Sequence, residues 1–316
     1  MSVTMDKATP TLGVVGLGSM GLGAALSALH RGVPTWGLDM RPGPMAALAA
    51  AGGRAAASLA ELGANCDLVV VLVVNAAQTE TVLFGSPNAQ DTPDAPGGLA
   101  ASMRRGSVIA CSATVDPALP PRWTARLAER GLHFIDAPVS GGAKKAAAGE
   151  MTVMASGAPE AFAAGGSLLD AIAGKVYRLG DAPGVGSTVK MVNQHLAGVH
   201  IAAACEAMAL GMRAGADPKA LSEVISNSAG SSWMFQNRVP HILAGDYTPL
   251  SAVNIFIKDL GIVLDAARGL TFPLPLAAAA HQLFLAAAAN GQGYKDDSFV
   301  IRVWQALTGI ELPNGG

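Results

Sequence analysis

From residue 12 to residue 39 the chain reads LGVVGLGSMGLGAALSALHRGVPTWGLD: a short apolar run, Gly16-x-Gly18-x-x-Gly21, a helical stretch, and a second apolar run closed by Asp39. No other segment restricts the fold as tightly, because each part has a geometric task in a strand-turn-helix-strand unit that holds a dinucleotide. Gly16 permits the tight turn out of the strand, Gly18 lets backbone approach a pyrophosphate, and Gly21 lets helix and strand pack closely. The phosphates would rest on backbone N–H groups at the helix N-terminus, so Leu17, Ser19 and Met20 join the three glycines as cofactor contacts. With 38 glycines in the chain a chance G-x-G-x-x-G must be discounted. Here the motif follows a strand signal, opens a helix and is answered by an acid about 20 residues on, which is the context that gives it meaning. An acid at the end of the second strand accepts a hydrogen bond from the adenosine ribose and repels a 2′-phosphate, which favours NAD over NADP. Arg41, two residues later, leaves a second reading open, since it would either pair with a 2′-phosphate or lie along the adenine.

Alternation of strand and helix signals continues through the first half. Residues 12–16, 35–38, 68–74, 107–110 and 133–136 read as strands between Ala/Leu-rich helical stretches such as 44–51, which predicts an α/β, doubly wound Rossmann-like sheet. Residues 151–155 and 175–179 should extend that sheet around a helix beginning near residue 159. Beyond the Gly/Pro-bearing segment 180–186 the strand signals stop. Helical patterns over 187–214, 218–226, 253–267 and 274–289 predict an all-α domain joined to the first by a long interdomain helix. The expected division is a flexible N-terminus over 1–10, an NAD-binding domain over 11–183 and a substrate and oligomerisation domain over 184–316, with 91–98 a polar, proline-rich surface loop.

A chain of 316 residues is long enough for two such domains. Its formal net charge of −2, with 14% charged residues, leaves no basic stripe for nucleic acid. Mean hydropathy is high at +0.38, yet the best candidate for a membrane span, 276–289, is short and holds His281 and Gln282. No export signal is read, and Cys66, Cys111 and Cys205 show neither disulfide nor zinc spacing, which fits a reducing cytoplasm. The histidines lack metal-ligand spacing as well, so no metal is expected.

Three segments carry residues suited to chemistry. Ser140-Gly141-Gly142, just after a strand, exposes successive N–H groups, either as a nest for a substrate carboxylate or as an ordinary turn. On the first helix of the second domain Lys190, Asn193 and Gln194 stand at i, i+3 and i+4 on one polar face, with Val189, Val192 and Leu196 directed elsewhere, towards the core. A lysine in a first helical turn opposes the helix dipole; it is held there by function or is a solvated surface lysine. Lys258-Asp259, flanked by apolar residues, meets a polar cleft or forms a structural ion pair.

GLGSMG, DAPVSGG followed by GEMTVMASG, the stretch Gly184-x-Gly186-x-x-x-Lys190 and the KDL segment stand in the order found in the β-hydroxyacid dehydrogenase family, and the chain resembles that family over about residues 12 to 310. Members include 3-hydroxyisobutyrate dehydrogenase and tartronate semialdehyde reductase. The resemblance implies oxidation of a small-molecule hydroxy acid in a cleft between the two domains. It makes Lys190 the acid/base, Ser140, Gly141 and Gly142 the carboxylate site, Lys258 a group near the nicotinamide, and Val74, Asn75 and Thr114 cofactor contacts. Asn193 and Gln194 would orient Lys190 and substrate. The family usually has Asn where this chain has Gln194, one methylene longer, which shifts that contact. Longer runs such as APVSGGAKKAAAGEMTVMASG, SSWMFQNR and GDYTPLSAVNIFIKDLG resemble a bacterial branch that oxidises a four-carbon sugar acid at C2. Ser231, Ser232, Gln236 and Asn237, beside Trp233 and Phe235, offer hydrogen-bonding groups for a polyhydroxylated substrate. An unperturbed lysine titrates near ~10.4 and is a poor base at neutral pH. Desolvation and the positive NAD ring should bring Lys190 towards ~7–8, with closure about 183–187 excluding water. Imine-reductase chemistry, which uses NADPH and usually lacks the lysine, fits less well. A non-catalytic nucleotide-binding regulator is the alternative of another class. Close packing of the Ala-rich helices suggests a homodimer or homotetramer, without nucleic acid or membrane as partner.

Overall fold

The computed structural model describes residues 9–86, 97–289 and 291–313. Most of the expected N-terminal segment 1–10 and of the loop 91–98 lies outside the described residues. The chain divides into two compact units, with the boundary between Lys190 and Met191.

The first unit runs β1 (Leu12–Val15), α1 (Gly21–His30), β2 (Thr35–Leu38), α2 (Pro42–Ala50), β3 (Arg54–Ala55), α3 (Leu59–Asn65), β4 (Leu68–Val71), α4 (Ala76–Phe84), α5 (Leu99–Ser102), β5 (Val108–Cys111), α6 (Leu119–Ala128), β6 (His133–Asp136), β7 (Val139–Ser140), α7 (Gly142–Ala148), β8 (Met151–Ser156), α8 (Pro159–Gly165) and β9 (Ala173–Gly180). The strands form one sheet in the order β3-β2-β1-β4-β5-β6-β8-β7, with β9 on β8. Pairing is parallel from β3 through β6 and antiparallel where β8 meets β6 and β7. The order 3-2-1-4-5-6 is doubly wound, and its direction reverses between β1 and β4, where such sheets bind ligands beyond the carboxyl ends of the strands.

Both faces of the sheet are covered, which is why the strands read as unbroken apolar runs. Leu12, Val14, Leu68, Val70, Val108 and Ala110 belong to one core cluster. Their alternate neighbours Val15, Val69, Val71, Ile109 and Cys111 belong to another on the opposite face. Two-residue β3 and β7 were not read from the sequence, being too short to show a period. β4 ends at Val71 rather than at residue 74: Leu72 still donates its N–H to the Val15 carbonyl at 2.8 Å, but β1 ends at Val15 and pairs no further.

Helix α9 (Val185–Arg213) crosses the unit boundary. The second unit continues with α10 (Pro218–Ser226), α11 (Trp233–Ala244), α12 (Val253–Gly269), α13 (Pro275–Ala288) and α14 (Ile301–Thr308). Its core gathers Ile201, Cys205 and Met208 of α9 with Phe235, Val239, Phe256, Leu260 and Phe284. Among the described residues α9, not 276–289, is the helix long and apolar enough to cross a bilayer by length and composition. It also carries Lys190, Gln194 and Glu206 and supplies much of that core, as a core helix does.

One expectation for α9 is reversed. Val189, Val192 and Leu196, expected towards the core, are 40%, 51% and 49% exposed, while Lys190 and Gln194 are buried at 7% and 8%. Helix periodicity separates two faces but does not say which is covered. Because the helix starts at Val185, Lys190 stands in its second turn, away from the dipole penalty of the first.

Candidate active site

The three glycines differ in the way their tasks require. Gly16 has φ +90°, and a Cβ there would lie 2.6 Å from the Leu72 carbonyl oxygen; one on Gly21 would lie 1.8 Å from the Gly16 oxygen. A Cβ on Gly18 would meet only the Arg41 side chain, at 3.9 Å, so space over this backbone is open. No side chain caps the N-terminus of α1, at Met20, and its first turn holds no acid. Those free N–H groups and the open face of Gly18 suit a pyrophosphate.

Asp39 closes the loop from the side. Its carboxylate accepts the Leu17 N–H at 2.8 Å, the Arg41 N–H at 2.9 Å and the Arg41 Nε at 3.0 Å. Hydrogen bonding from the Arg41 side chain holds this carboxyl below the ordinary carboxylate range. Arg41 also donates to the Leu17 carbonyl at 3.3 Å, so its charge is turned onto Asp39 and the loop. That arrangement leaves the guanidinium committed to Asp39 and the loop, which suits a ribose diol better than a 2′-phosphate.

Val74, Asn75 and Thr114 follow the carboxyl ends of β4 and β5, on the same sheet edge as the glycine loop. Asn75 caps α4, its Oδ1 accepting the Gln78 N–H at 2.9 Å, while the Val74 N–H donates to the Gln78 side chain. Ser140 lies in β7 opposite Thr152 of β8. Gly141 and Gly142 have φ +131° and +70°, and a Cβ on Gly142 would meet nothing within 4 Å. The turn is thus glycine-dependent and open on one side, as a carboxylate nest must be.

In the second unit Gln194 Nε2 donates to Asp259 at 2.6 Å and its Oε1 accepts from Asn193 at 3.0 Å. Asp259, 2% exposed, is also ion-paired with Lys258. The ion-pair reading of Lys258-Asp259 therefore holds, and Gln194 links the pair to α9. Ser232 turns out to be committed, capping α11 by accepting the Phe235 N–H at 3.0 Å. Gln236 is held by the Ser226 carbonyl and Ser231, and Asn237 accepts from Arg238. Trp233 remains 57% exposed. Sequence reasoning missed Asp136, which is fully buried beneath the start of α9, and the buried pair Arg238–Asp297. Among the described residues no group of three or more His, Cys, Asp or Glu gathers as metal ligands.

Residues 11–180 match the NAD-binding domain of 6-phosphogluconate dehydrogenase, and residues 184–304 match the NAD-binding domain of NADP-dependent 3-hydroxyisobutyrate dehydrogenase. The chain belongs to the 3-hydroxyisobutyrate dehydrogenase-like family of β-hydroxyacid dehydrogenases. The dehydrogenase is 58% identical to the L-threonate dehydrogenase of Cupriavidus necator over 96% of this chain and 97% of that one. It is 47% identical to the L-threonate dehydrogenase of Haemophilus influenzae over 99% and 100%. A crystal structure of a 3-hydroxyisobutyrate dehydrogenase from Salmonella typhimurium superimposes with TM-score 0.85 at 50% identity, covering 93% of this chain and 99% of that one. The dehydrogenase is accordingly an oxidoreductase acting on hydroxy acids, with NAD as its cofactor.

Proposed function

We propose that this dehydrogenase oxidises L-threonate at C2 to the 2-oxo acid, 2-dehydro-L-erythronate. The observation that carries the substrate is the near full-length similarity to relatives named L-threonate dehydrogenase, at 47–58% identity. The NAD site comprises Gly16, Leu17, Gly18, Ser19, Met20, Gly21, Asp39 and Arg41, with Val74, Asn75, Thr114 and Lys258 as further contacts. Bound NAD supplies the hydride acceptor. The Ser140-Gly141-Gly142 amides hold the substrate carboxylate, and Lys190, as the neutral amine, takes the proton of the C2 hydroxyl. Burial of Lys190, at 7% exposed, supports that role over the alternative of a solvated surface lysine. Asn193, Gln194, Ser232 and Trp233 complete the substrate side, Ser232 through the cap that fixes Trp233 at the head of α11.

The domain division proposed is 11–183 for NAD binding and 184–316 for substrate and self-association. Val185, Val189, Val192 and Leu196 form an exposed apolar stripe at 4-3-4 spacing along α9, which supports a homodimer or homotetramer. Three buried free cysteines fit a cytoplasmic setting.

Following NAD reduction with L-threonate, D-threonate, D-erythronate, glycerate and 3-hydroxyisobutyrate tests the substrate. The expected result is a kcat/KM for L-threonate roughly tenfold or more above the others, about 1.4 kcal/mol of transition-state discrimination. Preference for 3-hydroxyisobutyrate, the activity named for the Salmonella relative, overturns the L-threonate reading. Turnover of none of the five overturns it as well.

A further inference from the structure

The N-terminus of α9 ends on a side chain the proposed chemistry does not use. Asp136, the last residue of β6, is 0% exposed. Its Oδ2 accepts the Gly184 N–H at 2.9 Å, the Ser187 N–H at 2.8 Å and the Ser156 hydroxyl at 3.3 Å, and its Oδ1 accepts the Ser187 hydroxyl at 2.7 Å. Ser156 in turn accepts the Gly186 N–H at 2.9 Å. Backbone donors that a helix start would otherwise leave open thus converge on one carboxylate and its hydroxyl partner.

The glycines of the Gly184-x-Gly186 stretch serve the same contact. A Cβ on Gly186 would lie 2.3 Å from the Met154 carbonyl oxygen and 2.9 Å from that of Asp136. Gly184 has φ +102°, and a Cβ there would lie 2.7 Å from the Pro117 carbonyl oxygen. At Gly186 the start of α9 is pressed against β6 and β8 too closely for a side chain at that position.

We propose that Asp136 is the positioning residue of Lys190, fixing the rotation and height of α9 at which that lysine is presented. Ser187 and Lys190 are i and i+3 on the helix, so they share a face, and holding Ser187 at both its N–H and hydroxyl holds Lys190 one turn on. A slip of one residue would turn the lysine by about 100° out of its buried place. Asp136 also stands four residues before Ser140 in the chain. One carboxylate therefore ties the helix bearing Lys190 to the strand that leads into Ser140-Gly141-Gly142, and sets the spacing between proton acceptor and carboxylate nest. Burial pushes this carboxyl upwards, while the donors from Ser187 and Gly184 favour its charged form.

This rests on the reading of Lys190 as the acid/base, and the test separates the two. Asp136→Asn puts an amide NH2 among N–H and O–H donors; Ser187→Ala removes one contact and is the milder change. Both variants are purified and assayed for kcat, for KM of hydroxy acid and NAD, and for the acetylation rate of the Lys190 amine by mass spectrometry relative to exposed Lys175 and Lys219. Expected is a roughly 10- to 100-fold lower kcat/KM for the hydroxy acid in Asp136→Asn, as misplacement by an ångström can cost, and a smaller loss in Ser187→Ala. KM for NAD should stay within about twofold, because the glycine loop and Asp39 are held by β1 and β2. Lys190 should be acetylated several-fold faster in both variants. If Asp136→Asn fails to fold, Ser187→Ala carries the test. Unchanged acetylation of Lys190, or kcat/KM within about twofold of the parent, overturns the proposal. Faster acetylation in a protein whose Lys190→Ala variant keeps full kcat leaves the positioning role standing and removes the acid/base reading.

Discussion

Replacing Gln194 by the asparagine usual in the family tests whether its extra methylene is needed to reach across to α12. Gln194 Nε2 lies 2.6 Å from an oxygen of Asp259, a carboxylate 2% exposed whose other oxygen pairs with Lys258. Asparagine withdraws the amide by roughly one carbon–carbon bond, about 1.5 Å. Unless the backbone moves, that carries the contact past hydrogen-bonding distance. The buried carboxylate then loses a charge-assisted hydrogen bond, worth about 1.5–3 kcal/mol, or roughly 10- to 100-fold in the equilibrium between closed and locally opened forms. Native-state hydrogen exchange at the amides of residues 257–262 should show this loss as a lowered opening free energy. Steady-state kinetics should show a fall in kcat/KM with KM for NAD little changed, because Asn193 and the amide it donates to are displaced together. Exchange protection equal to the parent, with kcat/KM within about twofold, would show that Asp259 is satisfied without Gln194 and refute the reasoning.

Lys190→Ala should lower kcat by roughly 10²–10⁴ with folding intact, as loss of a general base does; near-normal turnover refutes that role. Asp39→Ala removes acceptors for Leu17 and Arg41 and frees the guanidinium. KM for NAD should rise and that for NADP fall, whereas unchanged values for both would mean that Asp39 does not meet the ribose. Burial pushes the Asp297 carboxyl from its ordinary 3.8 up to about 7 against the pull of Arg238. The folded form then keeps a proton that the unfolded chain releases, so this carboxyl's contribution to stability is greatest below 3.8 and declines as pH rises towards 7. Denaturant titration of parent and Asp297→Asn at about pH 4.5 and about pH 7.5 should show the parent losing stability relative to the variant at the higher pH; a constant or opposite difference refutes it.

Features set by the backbone were largely legible in the sequence. Thr35–Leu38 and His133–Asp136 fall where their apolar runs read as strands, and Pro218–Ser226 where its helical pattern does. The turn at Gly16 and the close approach at Gly21 were legible because each depends on the missing Cβ at that position alone. Helix α11 was not read, although Met234, Phe235, Arg238, Val239 and Ile242 are buried at helical spacing, because Pro240 sits inside it and Arg238 interrupts its apolar face. That arginine is buried only because Asp297, 59 residues away, receives it at 2.5 and 3.0 Å.

The same distance in sequence separates what was legible in the site from what was not. Lys190 and Gln194 were visible as a polar pair one turn apart, but their burial depends on contacts that no local pattern carries. Gln194 is satisfied by Asp259, 65 positions on, and the start of α9 by Asp136, about 50 positions back. Without those partners the face of α9 bearing Val189, Val192 and Leu196 is the one a sequence would turn inward. With them, the polar face can be covered and the apolar face left outside, because Ser187 and Gln194 each donate to a buried carboxylate. Two buried aspartates thus hold polar groups of α9 on its covered side. Neutralising either one should disturb the lysine that the helix carries, more than removing any of its exposed valines.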